Sequence, residues 1–289
     1  MAAHFSPILS VLVCGLLVNA AHPLTLHSAG ASWSYEGSNG PARWPSISPK
    51  CGGKRQSPIN IVLAKSHPLK ADDFEFDALV ETPDGASLKL RNTGHGAQID
   101  IVGGDYVMRG GGLPAKQYKL AQFHWHWGSS KDRGSEHTID GKRFAAECHF
   151  VFHDAKYRDL SAALPKEGAV AVVGIFLVVE DDENDAYTAV TDRLSAILNP
   201  GEEYQYEEPF KLRGFWPSNI DEFVRYKGSL TTPPCLETLD WTLMLKPISI
   251  SQNQIAQFRK LVDDHGKELS NNFRPTQPLN GRVVSLRDD

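Results

Sequence analysis

Residues 122–128, "QFHWHWG", alternate between aromatic and imidazole side chains, and this alternation constrains the fold more than any other stretch of the chain. Three aromatic side chains occupy one set of positions, and His124 and His126 occupy the other. A period of two is typical of a β-strand whose two faces meet different surroundings. The segment therefore predicts a strand with one large apolar face and one face that carries two neighbouring imidazoles.

Short strand-like runs bounded by turn residues occur along most of the chain: residues 74–80, 87–92, 97–102, 118–128, 143–153, 169–179 and 239–246. Helical patterns are limited to residues 185–198 and 251–266. We expect the second helix to begin after Ser251, as its N-cap, and to end near Gly266. Because no linker or repeat divides the chain, these patterns predict one predominantly β domain.

A third histidine completes a chemical pattern. The strand predicted after residue 143 places Glu147, His149 and Val151 on one face, with a cysteine and a phenylalanine on the other. If this strand lies antiparallel to the first, His149 meets His124 and His126. Three neutral imidazoles with one open position form a catalytic zinc site, although cobalt or copper also bind such nitrogen sets. The alternative is a group of hydrogen-bonded core histidines, which the paired spacing disfavours.

Two polar residues are placed to orient these imidazoles. A metal-binding imidazole usually has its second nitrogen held by a carboxylate, an amide or a backbone carbonyl. Gln122 and Glu147 each precede a candidate ligand by two residues, on the same strand face. They are the predicted partners of His124 and His149, whereas spacing does not identify the partner of His126.

The amino-terminal segment differs from the rest of the chain. Residues 1–35 contain no Lys, Arg, Asp or Glu, and residues 8–18 form an apolar run that is too short to span a bilayer comfortably. Small residues follow, which suits cleavage after Ala20. Although the n-region is weak and a disordered apolar tail is the alternative, the pattern predicts a signal peptide over residues 1–20 and a tail over residues 21–32.

The remaining sequence favours a secreted, extracellular protein. It contains no stretch that resembles a membrane span, and the final residues, "GRVVSLRDD", lack the hydrophobic tail of a lipid-anchor signal. There is no Asn-X-Ser/Thr sequon. A formal net charge of −5 argues against nucleic acid as a partner, and protein partners are not predicted.

The cysteines agree with secretion. Removal of the signal leaves Cys51, Cys148 and Cys235, an odd number that allows at most one bridge. Cys51 and Cys235 lie in turn-rich segments, whereas Cys148 lies inside a predicted strand. We expect a Cys51–Cys235 disulfide, which would stabilise the fold by roughly 2–4 kcal/mol.

Four segments together carry a family resemblance: "QSPINI", "QFHWHWG", "SEHTIDGKRFAAECHF" and "GSLTTPPCLETLDW". In their order and spacing they resemble the α-class carbonic anhydrases of the secreted type. The resemblance implies a catalytic domain over residues 33–284, followed by a C-terminal tail over residues 285–289. It also implies a large, mostly antiparallel twisted central sheet with a few short peripheral helices. Cys148 stands where the family usually has an aliphatic residue, and we expect little effect because it points away from the metal.

The resemblance also implies a reaction. His124, His126 and His149 would bind Zn²⁺, and a metal-bound hydroxide would hydrate carbon dioxide reversibly to bicarbonate and a proton. Sulfonamides and anions would inhibit the enzyme. The main alternative is a non-catalytic carbonic-anhydrase-like binding module, in which ligand histidines are commonly lost, and a zinc hydrolase for esters or peptides is a second. Here all three ligand histidines are present.

Further roles follow from matching positions. Thr231 would accept a hydrogen bond from the metal-bound group and donate one to Glu136, which orients the attack. His95 would carry the released proton to solvent. The residues expected to line the substrate pocket are Val151, Val172, Leu230, Thr232, Leu239 and Trp241. Those expected to order the water chain for the proton are Tyr35, Thr93 and Gln98.

Three of these positions depart from the common pattern. Leu239 replaces a valine of many relatives, which predicts a slightly tighter pocket. Thr93 and Gln98 replace asparagines, and we expect them to affect the rate of proton transfer more than the reaction itself.

Overall fold

The computed structural model describes residues 33–76 and 81–288. The predicted signal peptide and the tail over residues 21–32 lie outside the described residues, as does the second half of the run 74–80. Within the described ranges, no helix has both the length and the apolar character needed to cross a bilayer.

Strands dominate the described residues, as predicted. They are β1 (Asn60–Ile61), β2 (His67–Pro68), β3 (Phe74–Phe76), β4 (Ser87–Asn92), β5 (Ala97–Gly103), β6 (Val107–Gly110), β7 (Tyr118–Trp127), β8 (Thr138–Ile139), β9 (Ala146–Asp154), β10 (Val170–Glu180), β11 (Glu203–Gln205), β12 (Phe223–Gly228), β13 (Leu239–Ser251) and β14 (Ser285–Arg287).

The strands form one large mixed sheet. Its order is β11-β4-β5-β7-β9-β10-β13-β12-β14-β2, with β6 pairing both β3 and β7. Most pairs are antiparallel, whereas β10–β13 and β14–β2 are parallel. Strands β1 and β8 form a separate parallel pair. The predicted fold class, with a large and mostly antiparallel sheet, is confirmed.

The register of the central strands separates two hydrophobic clusters. On one face of β7 and β9, Phe123 and Trp125 pack in the same cluster as Cys148 and Phe150. On the opposite face Val151 belongs to a second cluster. Alternation along each strand therefore sends the aromatic side chains to one core and the imidazoles to the other side of the sheet.

The helices are short and peripheral. They are α1 (Trp44–Ile47), α2 (Leu160–Ala163), α3 (Asp185–Thr191) and α4 (Gln252–Phe258). Helix α4 begins as predicted, with Ser251 as N-cap in a capping box with Gln254. The prediction that it continues to Gly266 was wrong. The chain leaves the helix after Phe258 because Val262 N–H then bonds to Leu198 O at 2.8 Å, outside the helical ladder.

Covalent and hydrogen-bonding contacts hold both ends of the main described range. Cys51 and Cys235 form the predicted disulfide, and Cys148 is a buried free cysteine. Strand β14, inside the segment expected to be a tail, pairs with β12 and β2. The sheet therefore extends to Arg287, beyond the boundary predicted from the sequence.

Candidate functional site

The structure brings the three candidate ligands together. Strands β7 and β9 pair antiparallel with His124 directly opposite His149, and His126 follows two residues later on the same face. The ring centroids lie 5.1 Å apart for His124 and His126, 5.2 Å for His124 and His149, and 4.6 Å for His126 and His149. His126 and His149 are buried, and His124 is half-buried. One nitrogen from each ring lies within 4.8 Å of the other two, so the group can hold a metal ion.

Each ring is oriented by a hydrogen bond from its other nitrogen. His124 Nδ1 lies 2.8 Å from Gln122 Oε1, and His149 Nε2 lies 2.7 Å from Glu147 Oε1. These are the two partners expected from the strand spacing. His126 Nδ1 donates to a backbone carbonyl, that of Asn272, at 2.7 Å. Three different acceptors thus leave one lone-pair nitrogen on each ring facing the others.

The free nitrogens fit a zinc ion. His126 Nε2 is fully buried and has no hydrogen-bond partner, which is costly unless a ligand completes the site. Burial, reinforced by the neighbouring imidazoles, lowers the pKa of His124 well below its ordinary value, and burial also lowers the pKa of His126. Both rings are therefore neutral at pH 7, the form that binds metal. A set of three nitrogens without a thiolate matches the ligands of catalytic zinc.

Glu147 is the centre of the polar network beneath the ligands. Its Oε1 bonds His149 Nε2 and His137 Nδ1, each at 2.7 Å, and its Oε2 accepts from the backbone N–H groups of Glu136 and His137. Burial alone would raise the pKa of Glu147, but the charges and hydrogen bonds of His137 and His149 hold it well below its usual range. The carboxylate is thus ionised and fixes the tautomer of His149.

His137 extends this network away from the metal ligands. Its Nε2 lies 2.6 Å from Tyr226 Oη, which in turn lies 2.7 Å from Ser57 Oγ. Ligand atoms of His137, Glu147 and His149 also lie within 4.8 Å of one another, close enough to hold a metal ion. Their nitrogens and oxygens are already paired with one another, however, so this group is a hydrogen-bond network. Sequence reasoning missed His137 and Tyr226, although His137 stands in the quoted segment "SEHT".

A glycine makes room for the ligand network. Gly174 on β10 lies directly opposite His149. A Cβ atom at this position would approach Leu243 Cδ1 to 2.5 Å and Glu147 Oε1 to 3.1 Å. The absence of a side chain therefore allows Glu147 to reach beneath His149.

Glu136 and Thr231 are both buried, and Glu136 lies beside the triad. Glu136 Oε1 accepts from Arg274 N–H at 2.8 Å, and Glu136 Oε2 lies 3.5 Å from His126 Nε2 without a hydrogen-bond partner. The expected bond between Thr231 and Glu136 is not among the hydrogen bonds of residues 33–76 and 81–288. The pairing of these two residues stays a prediction.

Five of the six residues predicted to line the substrate pocket belong to, or pack against, one hydrophobic cluster, and one of them lies beside the triad. Val172 pairs with Val151 on one side and with Trp241 on the other, while Leu239 pairs with Val170. The ring centroid of Trp241 lies 4.8 Å from that of His149. The buried members of this apolar wall are Val151, Val172, Leu239 and Trp241, whereas Leu230 and Thr232 are half-buried. An apolar wall beside a polar metal centre suits a small apolar substrate.

His95 lies in the turn between β4 and β5, and its ring stacks on Trp33 with centroids 3.8 Å apart. The Tyr35 ring is 6.5 Å away. Burial and the nearby Glu136 carboxylate raise the pKa of Tyr35 well above its ordinary value, so the phenol stays protonated. Sequence reasoning did not identify Trp33 as a partner of His95.

The two substituted water-chain positions are engaged in local bonds. Thr93 Oγ1 donates to Gly96 O at 3.0 Å and accepts from His95 N–H at 3.2 Å, which closes the turn. Gln98, directly opposite His124 on the neighbouring strand, donates to Asp100 Oδ1 at 2.5 Å. The only donor of the Thr93 hydroxyl is therefore committed within the turn.

Comparisons with known proteins agree with this geometry. The family model described as eukaryotic-type carbonic anhydrase matches residues 39–288. Carbonic anhydrase 7 of Homo sapiens is 38% identical, covering 87% of this chain and 96% of that protein. Carbonic anhydrase 15 of Mus musculus is 33% identical, covering 96% of this chain and 89% of that protein. Carbonic anhydrase 3 of Homo sapiens is 37% identical over 87% of this chain and 96% of that protein.

Proposed function

This chain belongs to the eukaryotic-type carbonic anhydrase family, and we propose that it hydrates carbon dioxide at the site formed by His124, His126 and His149. Its reaction is the reversible, zinc-dependent conversion of carbon dioxide to bicarbonate and a proton. The observation that carries the assignment of the site is the orphaned, buried Nε2 of His126, flanked by two further imidazoles whose other nitrogens are already held.

The three histidines would supply the protein ligands of the metal. A zinc ion held there lowers the pKa of a coordinated water molecule to about 7, a value established for carbonic anhydrases. Gln122 holds His124 Nδ1 and the carbonyl of Asn272 holds His126 Nδ1, so both of these rings would bind the ion through Nε2. Glu147 holds His149 Nε2, so that ring would bind through Nδ1. The role of these three partners is to fix the direction of each lone pair before metal arrives.

Thr231 and Glu136 would orient the reacting groups. A hydroxyl that donates to a buried carboxylate has only lone pairs left for the reaction centre, so it selects one orientation of the attacking group. Val151, Val172 and Trp241 would hold carbon dioxide by apolar contact. Thr232 and Leu230, at the half-exposed side of this wall, would form its entrance.

His95 would transfer the proton between the metal centre and solvent. Its ring lies in a turn and is partly exposed, and an imidazole titrates near neutral pH, which supports this role. Tyr35, Thr93 and Gln98 would order the intervening water. Because the Thr93 donor is committed to Gly96 O, we expect Tyr35 and Gln98 to contribute most to that order.

Secretion is part of the proposal. A disulfide links Cys51 to Cys235, and disulfides persist mainly in oxidising compartments. The signal peptide proposed over residues 1–20 agrees with that compartment. The catalytic domain would begin at residue 33 and include β14.

Stopped-flow hydration of carbon dioxide, with zinc quantified in the same sample, tests the function. Fast hydration at one zinc per chain that is abolished by a chelator and inhibited by a sulfonamide supports it. The variant His124→Ala should lose zinc and activity together, with Asn253→Ala on the exposed face of α4 as a control. Stoichiometric zinc without hydration would instead favour a non-catalytic binding module, and full activity of His124→Ala would contradict the proposed ligands.

A further inference from the structure

A carboxylate from a distant part of the chain meets the proposed proton-transfer histidine. Asp264 lies in the turn that follows α4, and its Oδ2 is 3.6 Å from His95 Nε2. The same carboxylate packs against Gly94, where an added Cβ would come within 1.9 Å of Asp264 Oδ1. Gly94 also has φ of +79°, so its lack of a side chain serves both the turn and this contact.

Backbone interactions fix the turn that carries Asp264. Asp263 Oδ1 accepts from the N–H groups of His265 and Lys267 at 2.8 and 2.9 Å. The chain before it is anchored because Val262 O accepts from Asn92 Nδ2 at 3.0 Å. The position of Asp264 is therefore set by bonds that do not involve its own side chain.

The same asparagine anchors the other turn. Asn92 is buried, and its Oδ1 accepts from Gly94 N–H at 2.8 Å. On the far side, Asn272 Nδ2 donates to His95 O at 3.0 Å. Asn92 thus holds the two turns at a fixed separation, with His95 and Asp264 facing each other across it.

Two of the contacts that the His95 ring makes with described residues depend on its charge, those with Trp33 and Asp264. Trp33 stacks on one face of the ring at 22° between planes, and the Asp264 carboxylate approaches Nε2. A neutral imidazole already stacks on an aromatic face, and protonation adds cation–π attraction to the ring and Coulomb attraction to the carboxylate. The Asp264 side chain is 43% exposed, so the contact lies at the solvent edge of the site.

We propose that Asp264 is a positioning residue for proton transfer, which holds the protonated His95 ring against Trp33 at the solvent edge. The inference rests on the proposed role of His95 and goes beyond it by identifying the group that holds the protonated ring in place. A proton accepted by His95 strengthens its pairing with Asp264, and the ring then delivers the proton to buffer from a fixed outer position.

The variant Asp264→Asn tests this inference because it removes the charge and keeps the shape. In a buffer too bulky to enter the site, kcat should fall by about two- to fivefold, as expected for loss of a partly exposed ion pair. The kcat/KM for carbon dioxide should not change, since it does not include proton transfer to solvent. A small buffer such as imidazole should restore kcat. Asp182→Asn, in the exposed acidic turn before α3, is the control for net charge.

A comparison with His95→Ala separates the possible failures. If His95→Ala slows kcat but Asp264→Asn does not, the positioning role is wrong and the proposed shuttle stands. If neither variant slows kcat, the shuttle itself is wrong. Adding Asp264→Asn to His95→Ala should have no further effect. A parallel fall of kcat and kcat/KM in Asp264→Asn would indicate general structural damage and would also overturn the inference.

Discussion

Asn272 links a proposed metal ligand to the proposed proton shuttle. Its carbonyl oxygen accepts from His126 Nδ1, and its side-chain oxygen accepts from Trp127 N–H at 2.7 Å. Its side-chain nitrogen donates to His95 O. The residue is fully buried, so none of these bonds competes with water. One asparagine therefore fixes the spacing between β7 and the turn that carries His95.

Replacement of Asn272 by alanine should weaken both the fold and the site. The change leaves Trp127 N–H buried without its partner, which costs about 1–3 kcal/mol of the free energy of unfolding. Zinc affinity should fall by about tenfold, which is the lower end of the range for losing a contact that orients a metal ligand. The effect is small because the backbone carbonyl that bonds His126 is retained, although it is less well fixed. Urea unfolding and chelator competition measure the two effects. Equal values for Asn272→Ala and the exposed control Asn253→Ala would contradict this role.

Thr231 offers a test of orientation by a single hydroxyl. The variant Thr231→Ala should lower kcat/KM for hydration by about a hundredfold, the scale of losing one preorganised hydrogen bond at a reaction centre. Thr231→Ser retains the hydroxyl and should recover most of the loss. Stopped-flow hydration at matched zinc occupancy measures both variants. If serine and alanine were equally slow, the methyl group rather than the hydroxyl would be responsible.

At this scale the sequence predicted what strand periodicity can encode. The pairs His124 and His126, Gln122 and His124, and Glu147 and His149 are each two positions apart, so all these relations follow from alternation along single strands. Asn272 was not predicted because its contact with His126 joins positions 146 residues apart through a backbone carbonyl. A carbonyl contact leaves no side-chain signature in the sequence.

At the scale of elements, strands with a regular burial pattern were the most predictable, whether burial alternates as in β4 or is continuous as in β9. Residues 87–92 coincide with β4, and β7, β9 and β10 lie within a few residues of their predicted bounds. Strand β12 was missed because an arginine and a lysine interrupt its apolar pattern. Arg225 can nevertheless be buried because it donates hydrogen bonds to Thr242 Oγ1 and Gly111 O. Tertiary hydrogen bonds also ended α4 early, and they cannot be inferred from helix propensity.

The start of α4 depends on a local device that can be tested alone. Gln254 N–H donates to Ser251 Oγ and Ser251 N–H donates to Gln254 Oε1, each at 3.1 Å. The variant Ser251→Ala should reduce the free energy of unfolding by about 1 kcal/mol, as for other lost N-caps. Hydration should be unaffected because α4 contributes no proposed site residue. Thermal unfolding measures this variant beside Ser251→Thr, which can still cap the helix. If both variants kept the stability of the parent, the capping role would be wrong.

At the scale of the whole molecule, the sequence predicted the class of sheet but not its order. Alternating strands specify faces, and they do not specify which strand lies beside which. The parallel pair β10–β13 joins two segments with residues 181–238 between them, a stretch that includes α3 and β12. Its partners are chosen by long-range burial, since Val172 needs Val151 on one side and Trp241 on the other. Such choices depend on packing that no local pattern encodes.

The disulfide connects the loop-rich beginning of the domain to the turn that carries Thr231. Cys51 and Cys235 are 184 residues apart, so the bridge restricts much of the unfolded chain. The double variant Cys51→Ser, Cys235→Ser should lose roughly 2–4 kcal/mol of the free energy of unfolding in urea. The folded variant should keep most of its hydration activity, because the Leu230 N–H bond to Leu236 O still closes the turn. A reductant should lower the stability of the parent to that of the variant and leave the stability of the variant unchanged. If the reductant destabilised both proteins equally, the loss of stability would not come from the disulfide.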